Sequence, residues 1–147
     1  MTRAASAGAV EDCNSDEPAR VLTGCTAMIE GRMLQGSNLA VAYGRRSDAF
    51  LRSGALDAAI ADAERAADLD GNSASSKRRL SNALRLRGAI ASDDNNKLSY
   101  FDRAITLDAT NHAAFYARAA VHTERKDFNA AIRDLEKAIG LEGGEEL

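Results

Sequence analysis

Three stretches of the chain repeat one another, and this repetition constrains the fold more than any other feature: AAIADAERAADLDG at 58–71, KLSYFDRAITLDA at 97–109 and AAIRDLEKAIGLEG at 130–143. Ile60, Leu98 and Ile132 correspond, as do Ala66, Ala104 and Ala138, and Leu69, Leu107 and Leu141, spaced by 38 and then 34 positions. A second series lies upstream: Tyr43, Lys77 and Phe115; Phe50, Leu84 and His122; Gly54, Gly88 and Lys126, now spaced 34 and then 38. The reversed order places a four-residue insertion between Gly88 and Leu98, in AIASDDNN. Within each stretch apolar residues recur at three- and four-residue steps, the mark of a helix with one buried face. Each unit is therefore two helices joined at Gly54, Gly88 or Lys126. Units of this kind cannot bury an apolar face alone and must stack.

A period of about 34 residues built from helix pairs resembles the tetratricopeptide repeat family. Tyr43 and Phe115 stand at that family's aromatic fourth position, and Ser47, Ala59 and Ala66 at its small eighth, twentieth and twenty-seventh. Gly71, Ala109 and Gly143 replace a frequent Pro, and Lys97 replaces the small twentieth residue of the middle repeat. The resemblance implies an all-α, right-handed α-solenoid of about three helix pairs at 40–73, 74–111 and 112–145, within a domain covering 17–145. Ahead of them EPARVLTGCTAMIEGRM sets Val21, Leu22, Cys25, Met28 and Ile29 on one face, with Pro18 in the first turn. This is one extra helix, an N-terminal half-repeat at 17–36. Ser37 or Asn38 in QGSN is the expected cap of the helix that follows. Residues 1–16 are small, polar and unpatterned, and read as a flexible leader.

At 147 residues the chain fits one domain. A net charge of −3 argues against coating nucleic acid or an anionic membrane, and no apolar run is long enough for a membrane span. The opening lacks the apolar stretch of a signal peptide, so a native Met1 predicts a cytoplasmic protein and a removed signal a periplasmic or exported one. HExxH, Walker and GxGxxG patterns are absent. His122 aligns with Phe50 and Leu84 and reads as a packed imidazole, His112 as a helix start, and Asp93 and Asp94 as a loop and cap. No His is placed to serve a nucleophile as base. The expectation is a protein that is not an enzyme and has no cofactor and no metal.

Cys13 and Cys25 are 12 positions apart and, on the residues alone, leave two states open. Either Cys25 is a small buried hydrophobe and Cys13 a free thiol, or a disulfide pins the leader to the first helix. Two cysteines without a nearby His cannot complete the four ligands of zinc. The segment around them resembles bacterial repeat proteins, many exported, that carry paired cysteines ahead of the first full repeat. That resemblance implies the bridge as a candidate.

KRRLSNALRLRG at 77–88 carries five positive charges and no negative one. Leu80, Ala83 and Leu84 form its packing stripe, and Arg78, Arg79, Asn82 and Arg85 an adjacent face. In the family that face lines a concave groove for extended peptides, to which aligned positions add Arg45, Asp48 and Arg52, and Tyr116 beside Ala113, Ala117 and Ala120. The family's clamp for chaperone tails is not matched, since its positions hold Gly44, Asp48, Arg79, Ala113 and Ala117. The implied function is a protein–protein interaction scaffold that holds a partner peptide, acidic because Arg forks grip carboxylates. The alternative is self-association into a homo-oligomer, or docking onto an assembly, through the last helix with Phe128, Ile132, Leu135 and Ile139.

Overall fold

The computed structural model describes residues 3–143, with side chains from residue 7 onward. Residues 1–2 and 144–147, which include the end of the expected domain at 145, lie outside the described residues. Among the described residues there are eight helices and no strand: α1 (Arg3–Cys13), α2 (Pro18–Glu30), α3 (Gly36–Arg52), α4 (Leu56–Leu69), α5 (Ala74–Ala89), α6 (Asp94–Leu107), α7 (His112–Glu124) and α8 (Phe128–Glu142). The all-α class is as expected, with one helix more than the sequence indicated. The stretch read as a flexible leader is α1, so the half-repeat at 17–36 is the second member of a helix pair. Alanine gives α1 its helix propensity. Of its described side chains only Ala9 and Cys13 are buried, so it carries almost no apolar period to read.

The chain divides into two compact units, one ending at Arg79 and the other starting at Leu80. In the first, α1 approaches α2 at Gly24, where an added Cβ would lie 2.3 Å from the Cys13 nitrogen and 2.6 Å from the Ala9 carbonyl oxygen. Only glycine permits that approach. Arg20 of α2 reaches across to Asp12 at 2.7 Å and Glu11 at 3.3 Å, and hydrogen bonding to Asp12 raises its pKa further. Pro18 opens α2 at a position that needs no N–H donor. The shared core includes Val21, Cys25, Met28, Ala42 and Ala49. The expected Ser37 or Asn38 cap is not used. The left-handed φ of Gly36, 55°, turns the chain into α3 early, and both residues lie inside the helix.

α3 and α4 turn at Gly54, whose φ of 78° lets the Ala55 N–H reach the Phe50 carbonyl at 2.9 Å and close α3. The pair is then locked twice. The Ser47 hydroxyl donates to the Ala59 carbonyl at 2.7 Å. Arg46 grips Asp62 with two bonds of 2.7 and 2.9 Å beneath the rings of Tyr43 and Phe50.

In the second unit α7 and α8 repeat this plan. Lys126 takes a left-handed φ of 62°, the Asp127 N–H donates to the His122 carbonyl at 2.8 Å, and Arg118 holds Asp134 at 2.8 and 2.7 Å beneath Phe115. His122 is only partly buried at the end of α7, its Nδ1 4.0 Å from Asp127, so it is not the packed imidazole the alignment implied. Gly88 also departs from expectation. It is no turn residue but lies buried inside α5, where an added Cβ would stand 2.7 Å from Phe101 Cε1. The inserted residues carry the turn instead, and Asp93 caps α6 by accepting from the Asn96 N–H at 3.0 Å. Among the described residues no helix is long and apolar enough to cross a membrane.

Candidate functional site

Ser37, Val41, Arg45, Asp48 and Arg52 follow one another on α3 at steps of four and three, which places them on one face. That face lines a cleft of about 530 Å³ in the first unit. Ser15 and Asp16 of the α1–α2 turn, Pro18, Val21, Ala40 and Ala49 contribute to it, as do Asp70, Ser75, Ser76 and Arg79. Val41 is 58% exposed there and offers an apolar contact.

The lining carries three arginines and three aspartates, but their charges are not equally engaged. Arg79 lies against the backbone at Gly44 and donates from Nε to Asp48 at 3.0 Å, so those two charges meet. Asp70 accepts from the hydroxyls of Ser76 and Ser73 and from the Ser73 N–H. The Ser76 bond leads in holding its carboxyl below the usual carboxylate range. Arg45 and Arg52 behave differently. Each spends one N–H on a backbone carbonyl, Arg45 on Cys13 at 3.3 Å and Arg52 on Asp16 at 3.1 Å. Neither has a carboxylate within salt-bridge distance among the described residues. Their remaining donors are available to a ligand.

Of the residues singled out from the sequence, Arg45, Asp48, Arg52 and Arg79 share this cleft. Arg78 is exposed and is not part of its lining. Asn82, Arg85 and Tyr116 belong to the second unit. There Arg85 donates to Asn82 at 3.0 Å, burial lowers the pKa of its guanidinium, and its buried Nε has no hydrogen-bond partner among the described residues. The Tyr116 hydroxyl donates to Glu142 at 3.1 Å, which raises its pKa. Cys13 and Cys25 form a disulfide with Cα atoms 4.6 Å apart, just below the turn that lines the cleft. Sequence reasoning missed Ser15, Asp16 and Val41. The first two follow from α1, and the signal for α1 was present: Cys13 and Cys25 stand 34 positions before Ser47 and Ala59.

No family model and no curated protein matches the chain. Solved structures do. A crystal structure of MamA superposes with a TM-score of 0.64 at 16% identity, covering 96% of this chain and 73% of that one. A MamA RS-1 double mutant gives 0.64 at 15%, covering 97% and 75%. TTC0263, a thermophilic TPR protein of Thermus thermophilus, gives 0.52 at 15%, covering 96% and 74%. The fold is the tetratricopeptide-repeat fold. Likeness at this level of identity concerns architecture, and what a tetratricopeptide cleft holds is set by its own lining.

Proposed function

We propose that the chain is a non-catalytic interaction scaffold whose first unit binds an extended, acidic segment of a partner protein. The observation that carries this reading is the pair Arg45 and Arg52, two guanidinium groups with spare donors and no carboxylate partner among the described residues, beside the exposed Val41. A segment that sets carboxylates against the arginines and an aliphatic side chain against Val41 satisfies both chemistries.

Fluorescence anisotropy with a labelled nonapeptide of Glu, Leu and Ser, against a counterpart with Lys for Glu, tests the proposal. The acidic peptide is expected to bind more tightly and to weaken as salt is added. Arg45→Ala and Arg52→Ala should each cost about tenfold, the scale of one hydrogen bond to a charged group. Asp16→Ala removes a carboxylate but keeps the backbone carbonyl that Arg52 uses, and should tighten binding. Equal affinity for both peptides sinks the reading.

A second reading has its own observation. Phe128, Ile132, Leu135 and Ile139 on α8 are all exposed, at 58%, 53%, 37% and 60%, and their spacing of four, three and four is that of a helix–helix seam. A second copy paired α8 to α8 would cover them. Light scattering across a concentration series decides this, and a monomer at every concentration removes it.

A further inference from the structure

We propose that the Cys13–Cys25 disulfide is a redox latch on the cleft: the intact bridge holds α1 and the turn at 14–17 in place as part of the lining, and reduction releases them and weakens capture of an acidic segment. The inference rests on the cleft being the binding site and names how that site is regulated.

Apart from the bridge, α1 is held by little buried side-chain surface. Of its described side chains only Ala9 and Cys13 are buried, and Val10 is 43% exposed. An isolated helix of 11 residues is marginal in water, and the ion pairs of Arg20 with Asp12 and Glu11 are open to solvent and contribute little. The covalent bond therefore adds a tie to an α1 otherwise held by the close approach at Gly24, a small buried surface and the arginine bonds to the Cys13 and Asp16 carbonyls. The next helix pair makes the contrast plain. At the equivalent positions, with the same separation of 12 residues, Ser47 and Ala59 join α3 to α4 by a hydrogen bond alone.

Arg45 donates to the carbonyl of Cys13, itself a member of the bridge, and Arg52 to the carbonyl of Asp16 three residues on. The two side chains proposed to bind the ligand are thus oriented by the segment that the disulfide anchors. Ser15 and Asp16 in that segment also line the cleft. Freeing the segment removes both acceptors, so ligand binding must then order two long side chains that the oxidised protein holds in advance.

The chemistry balances with a dithiol. One of its thiolates attacks a bridge sulfur and the Cys13–Cys25 bond breaks, leaving one cysteine as a thiolate and the other in a mixed disulfide. The second thiolate of the dithiol attacks the dithiol's own sulfur in that mixed disulfide and expels the other cysteine, and both cysteine thiolates take up protons. Two cysteine thiols and an oxidised dithiol result. The bridge sulfurs are buried, Cys25 completely, so attack requires a local opening around Cys13, the more exposed of the two, before the bond breaks and α1 is released.

The test compares the full chain oxidised, reduced with dithiothreitol to two titratable thiols, and as the Cys13→Ser/Cys25→Ser variant. Hydrogen exchange is expected to speed at least about tenfold at α1 amides on reduction, with protection kept in α3, α4, α7 and α8. Affinity for the same acidic nonapeptide should fall by about fivefold or more. Unchanged α1 protection after complete reduction overturns the latch, and so does released α1 with unchanged affinity. Should the oxidised protein fail to bind the peptide, the cleft reading falls by itself, and the exchange data alone decide whether the bridge holds α1. If the double variant loses helicity by circular dichroism, the reduced wild-type protein carries the comparison.

Discussion

At the scale of single residues, two side chains carry consequences out of proportion to their size. Lys126 occupies the left-handed position that glycine fills in the first unit, at φ 62° against 78° for Gly54. A side chain there is strained, whereas glycine adopts the conformation freely. Lys126→Gly should therefore raise stability, by up to about 1 kcal/mol in urea unfolding, after the greater freedom of glycine in the unfolded chain is set against the relief. Asp134 is nearly buried and answers Arg118 with two bonds, and hydrogen bonding to Asp134 is the leading reason that the Arg118 pKa stands above its usual value. Removing one partner of such a pair strands the other. Asp134→Ala is expected to cost about 3 kcal/mol by the same measurement, while Arg20→Ala, on a pair open to water, changes stability far less. Neither lock was visible in the sequence. Asp62 and Asp134 look like solvated charges in alanine-rich helices, and only the recurrence of Arg46 and Asp62 as Arg118 and Asp134, 72 positions on, marks them as a matched device.

At the scale of elements, the sequence showed what is periodic and hid what is not. The helices α3 to α8 were legible because their apolar residues recur at helical steps and from repeat to repeat. α1 has no such stripe, and its one repeat signal is the offset of Cys13 and Cys25 from Ser47 and Ala59, the two sulfurs being bonded where the next pair uses a hydrogen bond. Gly88 was read as a turn because it aligns with Gly54, but the inserted residues carry the turn and leave that glycine as the contact between α5 and α6. Gly88→Ala should then overpack against Phe101 and Tyr100 and cost roughly 1–3 kcal/mol. The start of α5 carries a pH dependence. Asp70 binds Ser73 and Ser76 as a carboxylate, and its folded pKa is depressed, chiefly by the Ser76 hydroxyl. Its contribution is complete above the unfolded value of about 3.9 and is lost as pH falls through the folded value. The stability difference between wild type and Asp70→Asn should shrink below about pH 4 and stay flat above about pH 5.

At the scale of the whole molecule, a chain with a net charge of −3 has no general attraction for acidic partners, so any such attraction must be local. Indexing the repeats was enough to place Arg45, Asp48, Arg52 and Arg79 on one side of their helices, and the structure gathers them around one cleft. Asp16 and Val41 complete the chemistry; the first was within reach only by extending that indexing to the cysteines, and the second was not. Asp16 belongs to a turn after a helix that was not read, and Val41 sits on the helix face opposite to what its apolarity predicts. On the proposed reading, Arg45 and Arg52, which have no carboxylate partner among the described residues, join an exposed valine and a covalently fixed turn to take one carboxylate-bearing segment. The most direct test is amide chemical-shift mapping of the isotope-labelled, oxidised protein titrated with the acidic nonapeptide. Shifts concentrated at Ser15, Asp16, Val41, Arg45, Arg52 and Arg79 are the predicted result. Shifts confined to α8, or a spectrum that does not change at saturating peptide, would contradict it.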